Sequence, residues 1–173
     1  MAKQLGFYFN SSACTGCKAC QVACKDKNDL EVGLLWRRVY EVSGGDWEER
    51  EGVYRNSVFA YNISMACNHC EKPECVYKCP TNALQKDKKR GIVSIDPELC
   101  IGCRYCEWNC PYGAPQYDKN NGVMTKCDFC SDYLEQGKAP ACVDACPMRA
   151  LDFGEIGALR KKYRQPPGQS FAE

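Results

Sequence analysis

Sixteen of the 173 residues are cysteine, and they stand in four groups of four. The groups are Cys14, Cys17, Cys20 and Cys24; Cys67, Cys70, Cys75 and Cys79; Cys100, Cys103, Cys106 and Cys110; and Cys127, Cys130, Cys142 and Cys146. Each opens with Cys-x-x-Cys and closes with Cys-x-x-x-Cys, and only the middle spacer changes: two residues in groups one and three, four in group two, eleven in group four. Such a recurrence is an internal repeat with insertions. Sixteen thiols can serve as about eight disulfides, as ligands of about four structural metals, or as ligands of iron-sulfur clusters. The run CIGCRYCEWNCP, residues 100 to 111, has the spacing in which three thiolates hold one cubane and the fourth ligates the other cluster of a pair.

The spacing has a mechanical reason. A Cys-x-x-Cys loop curls the backbone around one corner of a cluster and aims N–H groups at its sulfurs. The four-residue step to the last cysteine is about one helical turn, a rise of about 6 Å, which carries that thiol toward a second cluster. Proline then stops the helix, because its φ is fixed and it has no N–H to donate. Pro80, Pro111 and Pro147 fill that place in three groups, whereas Lys25 fills it in group one, whose exit is expected to differ.

One group therefore serves two clusters, and groups must pair. Groups two and three are joined by residues 80 to 99, where Ile92, Val93 and Ile95 read as a short strand after the polar run Lys86 to Gly91. Groups one and four are left to pair across the whole sequence. The expected ligand sets are Cys14, Cys17, Cys20 and Cys146; Cys24, Cys127, Cys130 and Cys142; Cys67, Cys70, Cys75 and Cys110; and Cys79, Cys100, Cys103 and Cys106. The expected fold class is α+β, with two ferredoxin-like two-cluster modules. Residues 1–66 and 111–173 form the first, with a hairpin insertion at about 36–65, and residues 67–110 form the second.

The elements that position these thiols must do so without a conventional core. Leu, Ile, Val and Phe make up only about 17% of the residues, below the roughly 20% at which burial of apolar surface falters. MAKQLGFYFN lacks the apolar centre of a secretion signal, and its alternation at Leu5, Phe7 and Phe9 reads as a strand. No run approaches the ~20 apolar residues of a membrane span. Disulfides fall behind the metal readings accordingly. WRRVYEV and VYRNSVFAYNISM alternate apolar and polar residues around the glycine-containing SGGDWEEREG and read as an extended hairpin, a scaffold or docking surface.

Zinc is the competing metal, since four-cysteine zinc sites also use Cys-x-x-Cys. Zinc ribbons bring two separated Cys-x-x-Cys pairs, however, and groups two and four contain one each. His69, the single histidine, is read as lying beside a cluster without coordinating it, or as exposed; Trp108 either shields its cluster from water or simply packs. The basic stretches Lys86 to Arg90 and Arg160 to Arg164 read as solvated surface, and the net charge of +1 gives no support to nucleic-acid binding. Sixteen thiolates around four cores of charge about +2 would take that +1 to about −7. No nucleophile or acid-base pair stands out.

Beyond the cysteines, SSACTGCKACQVACKD, RRVYEVSGGDW, CNHCEKPECVYKCP, CIGCRYCEWNCPYGAPQY, MTKCDFC and CPMRALDFG carry a resemblance that covers nearly the whole sequence. It closely resembles the iron-sulfur subunit of the dimethyl sulfoxide reductase type of molybdoenzyme complex. The resemblance implies an electron-transfer subunit with four [4Fe-4S] clusters. Its partners would be a large catalytic subunit with a molybdenum or tungsten bis-pterin guanine dinucleotide cofactor and a quinone-reactive membrane anchor. It further implies that the Cys14 set lies toward the catalytic subunit and the Cys79 set toward the membrane. A related nitrate reductase branch has tryptophan for one group-three cysteine and a three-iron cluster; Cys100, Cys103 and Cys106 are all present here. The complex is expected at the cytoplasmic membrane, on the periplasmic face by co-export with a signal-bearing partner, or in the cytoplasm. The alternative within the same chemistry is a ferredoxin-like subunit of a hydrogenase, formate dehydrogenase or other reductase.

Overall fold

With few aliphatic residues to bury, the polypeptide makes short elements joined by tight turns. The computed structural model describes residues 3–163. Among them are ten strands of at most seven residues and six α-helices, of which a single one exceeds seven. The strands pair only two by two, which makes the fold α+β with no sheet wide enough to form a layer.

β1 (Leu5–Phe9) pairs antiparallel with β10 (Leu151–Glu155), Phe7 opposite Phe153, so the first and last strands lie together. α1 (Ala19–Lys27) packs on α5 (Ala141–Asp144), and α6 (Ile156–Lys162) covers β1 and β10. Groups one and four consequently meet, with Cys20, Cys24, Cys142 and Cys146 buried beside Ala150 and Leu151.

A second cluster of packing forms around groups two and three. β6 (Leu84–Lys86) pairs with β7 (Val93–Ile95), as the Ile92 to Ile95 pattern suggests, and α2 (Glu74–Tyr77) packs on α3 (Tyr105–Trp108). Leu84, Val93 and Cys106 are buried here with Met124. Met124 comes from β9 (Val123–Thr125), which pairs with β8 (Gln116–Asp118). Between the two regions Cys67, Ala114 and Cys127 are buried together. Phe129, fully buried, stacks on Phe7 at 4.3 Å and meets the edge of His69 at 5.2 Å.

The hairpin is present, and its turn falls at the far end of SGGDWEEREG. β2 (Arg38–Gly44) pairs with β5 (Phe59–Met65), and β3 (Trp47–Arg50) with β4 (Val53–Asn56). The backbone reverses at Glu51 and Gly52, both at positive φ, the geometry that matches strand twist in a two-residue hairpin. Gly45 instead marks the break between the two ladders, where a Cβ would stand 2.2 Å from the Ser57 carbonyl oxygen. The outer strands β3 and β4 are exposed throughout.

Gly102, inside the Cys100 loop, has φ +66, and a Cβ there would lie 2.3 Å from the backbone oxygen of Gly122 in the β8–β9 turn. Gly137 has φ +71 and open space around it. Alanine at Gly137 should cost only the left-handed penalty of about 1–2 kcal/mol. Gly102→Ala must also push two backbone segments apart. In thermal melts of the metal-loaded protein it should lower the midpoint clearly further than Gly137→Ala.

Candidate metal centres

Four local geometries repeat where the cysteine grammar repeats. The third residue of each Cys-x-x-Cys loop is left-handed: Gly16 at φ +70, His69 at +47, Gly102 at +66 and Phe129 at +63. This turns the loop inward, and in groups two and four the same residue's N–H donates to the first thiol, His69 to Cys67 and Phe129 to Cys127, each at 3.4 Å. A left-handed φ is unfavourable for a non-glycine residue, and complete burial of both side chains holds it.

The closing cysteines show a second shared turn. Asn82, Gly113 and Arg149, three residues after Cys79, Cys110 and Cys146, are all left-handed and donate their N–H to those cysteines' carbonyls at 3.4, 3.1 and 3.2 Å. The intervening proline suits the first corner of such a turn. Group one departs as Lys25 leads one to expect. α1 continues three residues past Cys24, and the Lys25 ammonium donates to the Leu30 and Glu31 carbonyls instead.

The tertiary fold gathers thiols from different groups. Cys14, Cys17, Cys20 and Cys146 border one small cavity, and Cys79, Cys100, Cys103 and Cys106 border another. Each contains three cysteines of one group and one of another. Cys70, Cys75 and Cys110 border a wider recess open to solvent, and Cys67 is buried with Cys110 packed against it. Cys24, Cys130 and Cys142 lie near enough that their charges act on one another, and Cys24 and Cys142 act likewise on Cys127. None of the sixteen cysteines is joined to another in a disulfide. Among the described residues no three Cys, His, Asp or Glu side chains converge as a single metal ion needs. The thiols surround a space rather than a point, which suits a polynuclear group better than zinc.

The sequence matches the family described as 4Fe-4S dicluster domain over residues 58–156 and that described as 4Fe-4S binding domain over residues 11–29. It is 55% identical over 163 residues to the B subunit of anaerobic dimethyl sulfoxide reductase from Escherichia coli (strain K12), spanning 94% of this protein and 79% of that one. The corresponding B subunit of Haemophilus influenzae is 52% identical over 162 residues, spanning 93% and 78%. Protein NrfC of Escherichia coli (strain K12) is 36% identical over 167 residues, spanning 94% and 72%. This protein belongs to the dimethyl sulfoxide reductase family of iron-sulfur subunits. Four [4Fe-4S] clusters are its cofactors and electron transfer is its function.

The interior of this iron-sulfur subunit is built for anions that contain cations. Burial, then the charge of Cys142, pushes the Cys24 thiol up to about 12; burial, then Cys75 and its neighbours, pushes Cys106 up to about 12. Burial and Cys67 push Cys75 up to about 11. Bare thiols here stay protonated at neutral pH, whereas iron ligation deprotonates them outright. Cys79 goes the other way: although burial opposes it, the Leu84 N–H and the Thr81 hydroxyl lower its pKa.

Two buried cations complete the picture, and neither stood out in the sequence. Arg37 and Lys126 are 2% and 4% exposed, and no described carboxylate lies within ion-pair distance of either. The Lys126 ammonium donates to the carbonyls of Val93 and Cys127, and its neighbour in sequence is a ligand candidate. A buried unpaired cation is strongly unfavourable. Clusters with a net negative charge supply the missing partners, so the residues present fit the group.

His69 is fully buried rather than exposed, neutral because burial, then Lys126 and Lys86, holds its pKa well below the ordinary value. Its Nδ1 accepts the Val93 N–H at 3.0 Å, which leaves the proton on Nε2. Trp108 is 72% exposed, and its ring lies 5.7 Å from that of Tyr105. The basic stretches are partly engaged. Lys86 donates to Gln4 and to the Cys70 carbonyl, Arg90 bridges Asp87 and Glu135, and Lys162 meets Asp152; Arg164 lies outside the described residues.

Removing iron and sulfide leaves these two buried cations without counter-charge and the thiols without their cross-links. Chelation under reducing, anaerobic conditions should therefore abolish the visible absorption and the cooperative unfolding transition together, followed by circular dichroism on the same sample. A stripped protein that keeps its full transition would contradict this dependence.

Proposed function

We propose that the protein relays single electrons through clusters held by the four sets Cys14, Cys17, Cys20, Cys146; Cys24, Cys127, Cys130, Cys142; Cys67, Cys70, Cys75, Cys110; and Cys79, Cys100, Cys103, Cys106. The carrying observation is that Cys79 borders the same cavity as Cys100, Cys103 and Cys106, although group two has cysteines of its own nearby. Bound [4Fe-4S] clusters supply one-electron redox chemistry, with potentials governed by hydrogen bonds to sulfur and by solvent access. The protein's own residues provide those influences. The N–H groups of His69, Phe129, Ala114 and Met124 donate to the thiols of Cys67, Cys127, Cys110 and Cys100 at 3.3–3.4 Å.

Electrostatic neighbours support a single row of sets. Cys20 feels Cys142, Cys127 feels Cys67, and Cys106 feels Cys75, which orders the sets as written above. Two modules follow: residues 1–66 and 111–173, with the hairpin, carry the first two sets, and residues 67–110 carry the other two. The β8–β9 hairpin of the first module then serves as a lid on the second, since Met124 packs beside Cys106.

The partner we assign is a molybdopterin catalytic subunit, because relatives more than half identical to this protein are B subunits of anaerobic dimethyl sulfoxide reductase. It faces the Cys14 set, whose Cys17 is exposed. A quinone-reactive membrane anchor faces the Cys79 set. No described helix is long and apolar enough to cross a membrane, consistent with a peripheral place in that complex. The complex faces the periplasm when the catalytic partner bears an export signal and the cytoplasm when it does not.

Cys106→Ser separates this ligation from ligation within groups. The variant should lose or alter the cluster that also depends on Cys79, leaving the one that depends on Cys67 intact in electron paramagnetic resonance spectra. Damage confined to the Cys67 cluster would refute the nesting. Purification of the native complex should bring down a large subunit with stoichiometric pterin; an accompanying nickel-iron subunit instead would reassign the partner.

A further inference from the structure

Arg37 is a permanent charge in the interior without a conventional counter-ion. Its guanidinium lies over the ring of Phe7 at 4.6 Å and is 2% exposed. Nη1 donates to the Ser64 hydroxyl at 3.1 Å, while Nε and Nη2 have no hydrogen-bond partner among the described residues. Burial disfavours the charge, yet the sulfurs of Cys142, Cys127 and Cys20 outweigh it and raise the pKa. Those three sulfurs belong to two of the ligand sets. Cys142 and Cys127 are in the second, and Cys20, whose sulfur is 3.4 Å from the Ser64 hydroxyl, is in the first.

A guanidinium keeps its charge at any pH the protein tolerates and presents several donors in one plane. Held among sulfurs in a low dielectric, it stabilises every added negative charge nearby, and the effect falls with distance. Reduction of a cluster adds one electron and here requires no proton from Arg37. We propose that Arg37 is a positioning and potential-setting residue shared by the first two clusters. It favours reduction of the Cys24, Cys127, Cys130, Cys142 cluster directly and of the Cys14, Cys17, Cys20, Cys146 cluster through Ser64.

The inference rests on the ligand sets proposed above. It is tested in the complete complex by potentiometric titration with dithionite and mediators, read by electron paramagnetic resonance. Cys20→Ser, Cys142→Ser and Cys106→Ser variants assign the signals first; if Cys20→Ser and Cys142→Ser remove the same cluster, the ligand sets fail and the fault is theirs. With the signals assigned, Arg37→Gln should disfavour reduction of the Cys142 cluster by at least about tenfold, which is about 59 mV for one electron. A smaller shift in the same direction is expected at the Cys20 cluster, with none at the Cys106 cluster. Arg37→Lys should recover more than half of the shift. Unchanged potentials, or an equal shift of all four clusters, would overturn the proposal. Should Arg37→Gln fail to retain iron, Ser64→Ala decides. It should lower the potential of the Cys20 cluster alone, and an unmoved potential there overturns the proposal.

Discussion

Thiolates repel one another and resist burial, and this protein crowds sixteen of them into a small interior. That arrangement persists only if positive charge sits among the sulfurs. Iron supplies most of it, and Arg37 and Lys126, buried with no described carboxylate beside them, supply the remainder. The rest of the fold can be understood as geometry that serves this balance. Leu, Ile, Val and Phe are too few to hold the structure together by apolar burial alone, and cysteines and their small neighbours dominate the buried residues.

Because ligation does the cross-linking, local structure is free to be economical. Helices of four residues such as α2, α3 and α5 are far too short to be stable by themselves, since nucleation is unfavourable. Each needs only to carry one thiol from its loop to the next set. The left-handed positions at His69 and Phe129 cost free energy, and there the backbone N–H donates to sulfur, whereas Gly16 and Gly102 make the same turn without that steric penalty. His69 and Phe129 show how two loops dispense with glycine: their rings bury against each other at the centre, where groups two and four come nearest.

On the proposed ligation the four sets stand in a row, and function follows from that order. A protein that passes single electrons needs carriers close together, shielded where charge must be tuned and accessible where partners exchange electrons. The interior sets lie beside Arg37, Lys126 and the His69–Phe129 pair, while the outer sets include the exposed Cys17 and the half-buried Cys103. The hairpin formed by β2 to β5 contributes no thiol, and its outer half is bare to solvent, as a surface for a neighbouring subunit would be.

Much of this was determined by the linear order of residues. Ligand chemistry is written in spacing: three residues fit a loop around a cube corner and four fit a helical turn. The four groups, the α+β class, the strands at Leu5–Phe9 and Val93–Ile95, and the different exit at Lys25 were legible for that reason. The sequence could not reveal which cations are buried, because Arg37 and Lys126 look like any basic residue until distant segments close over them. Nor could it choose Glu51–Gly52 as the point of reversal within SGGDWEEREG, assign His69 to the interior, or leave Trp108 in solvent. Those outcomes depend on long-range packing, where a side chain's surroundings come from segments that are remote in sequence, and only the tertiary structure decides them.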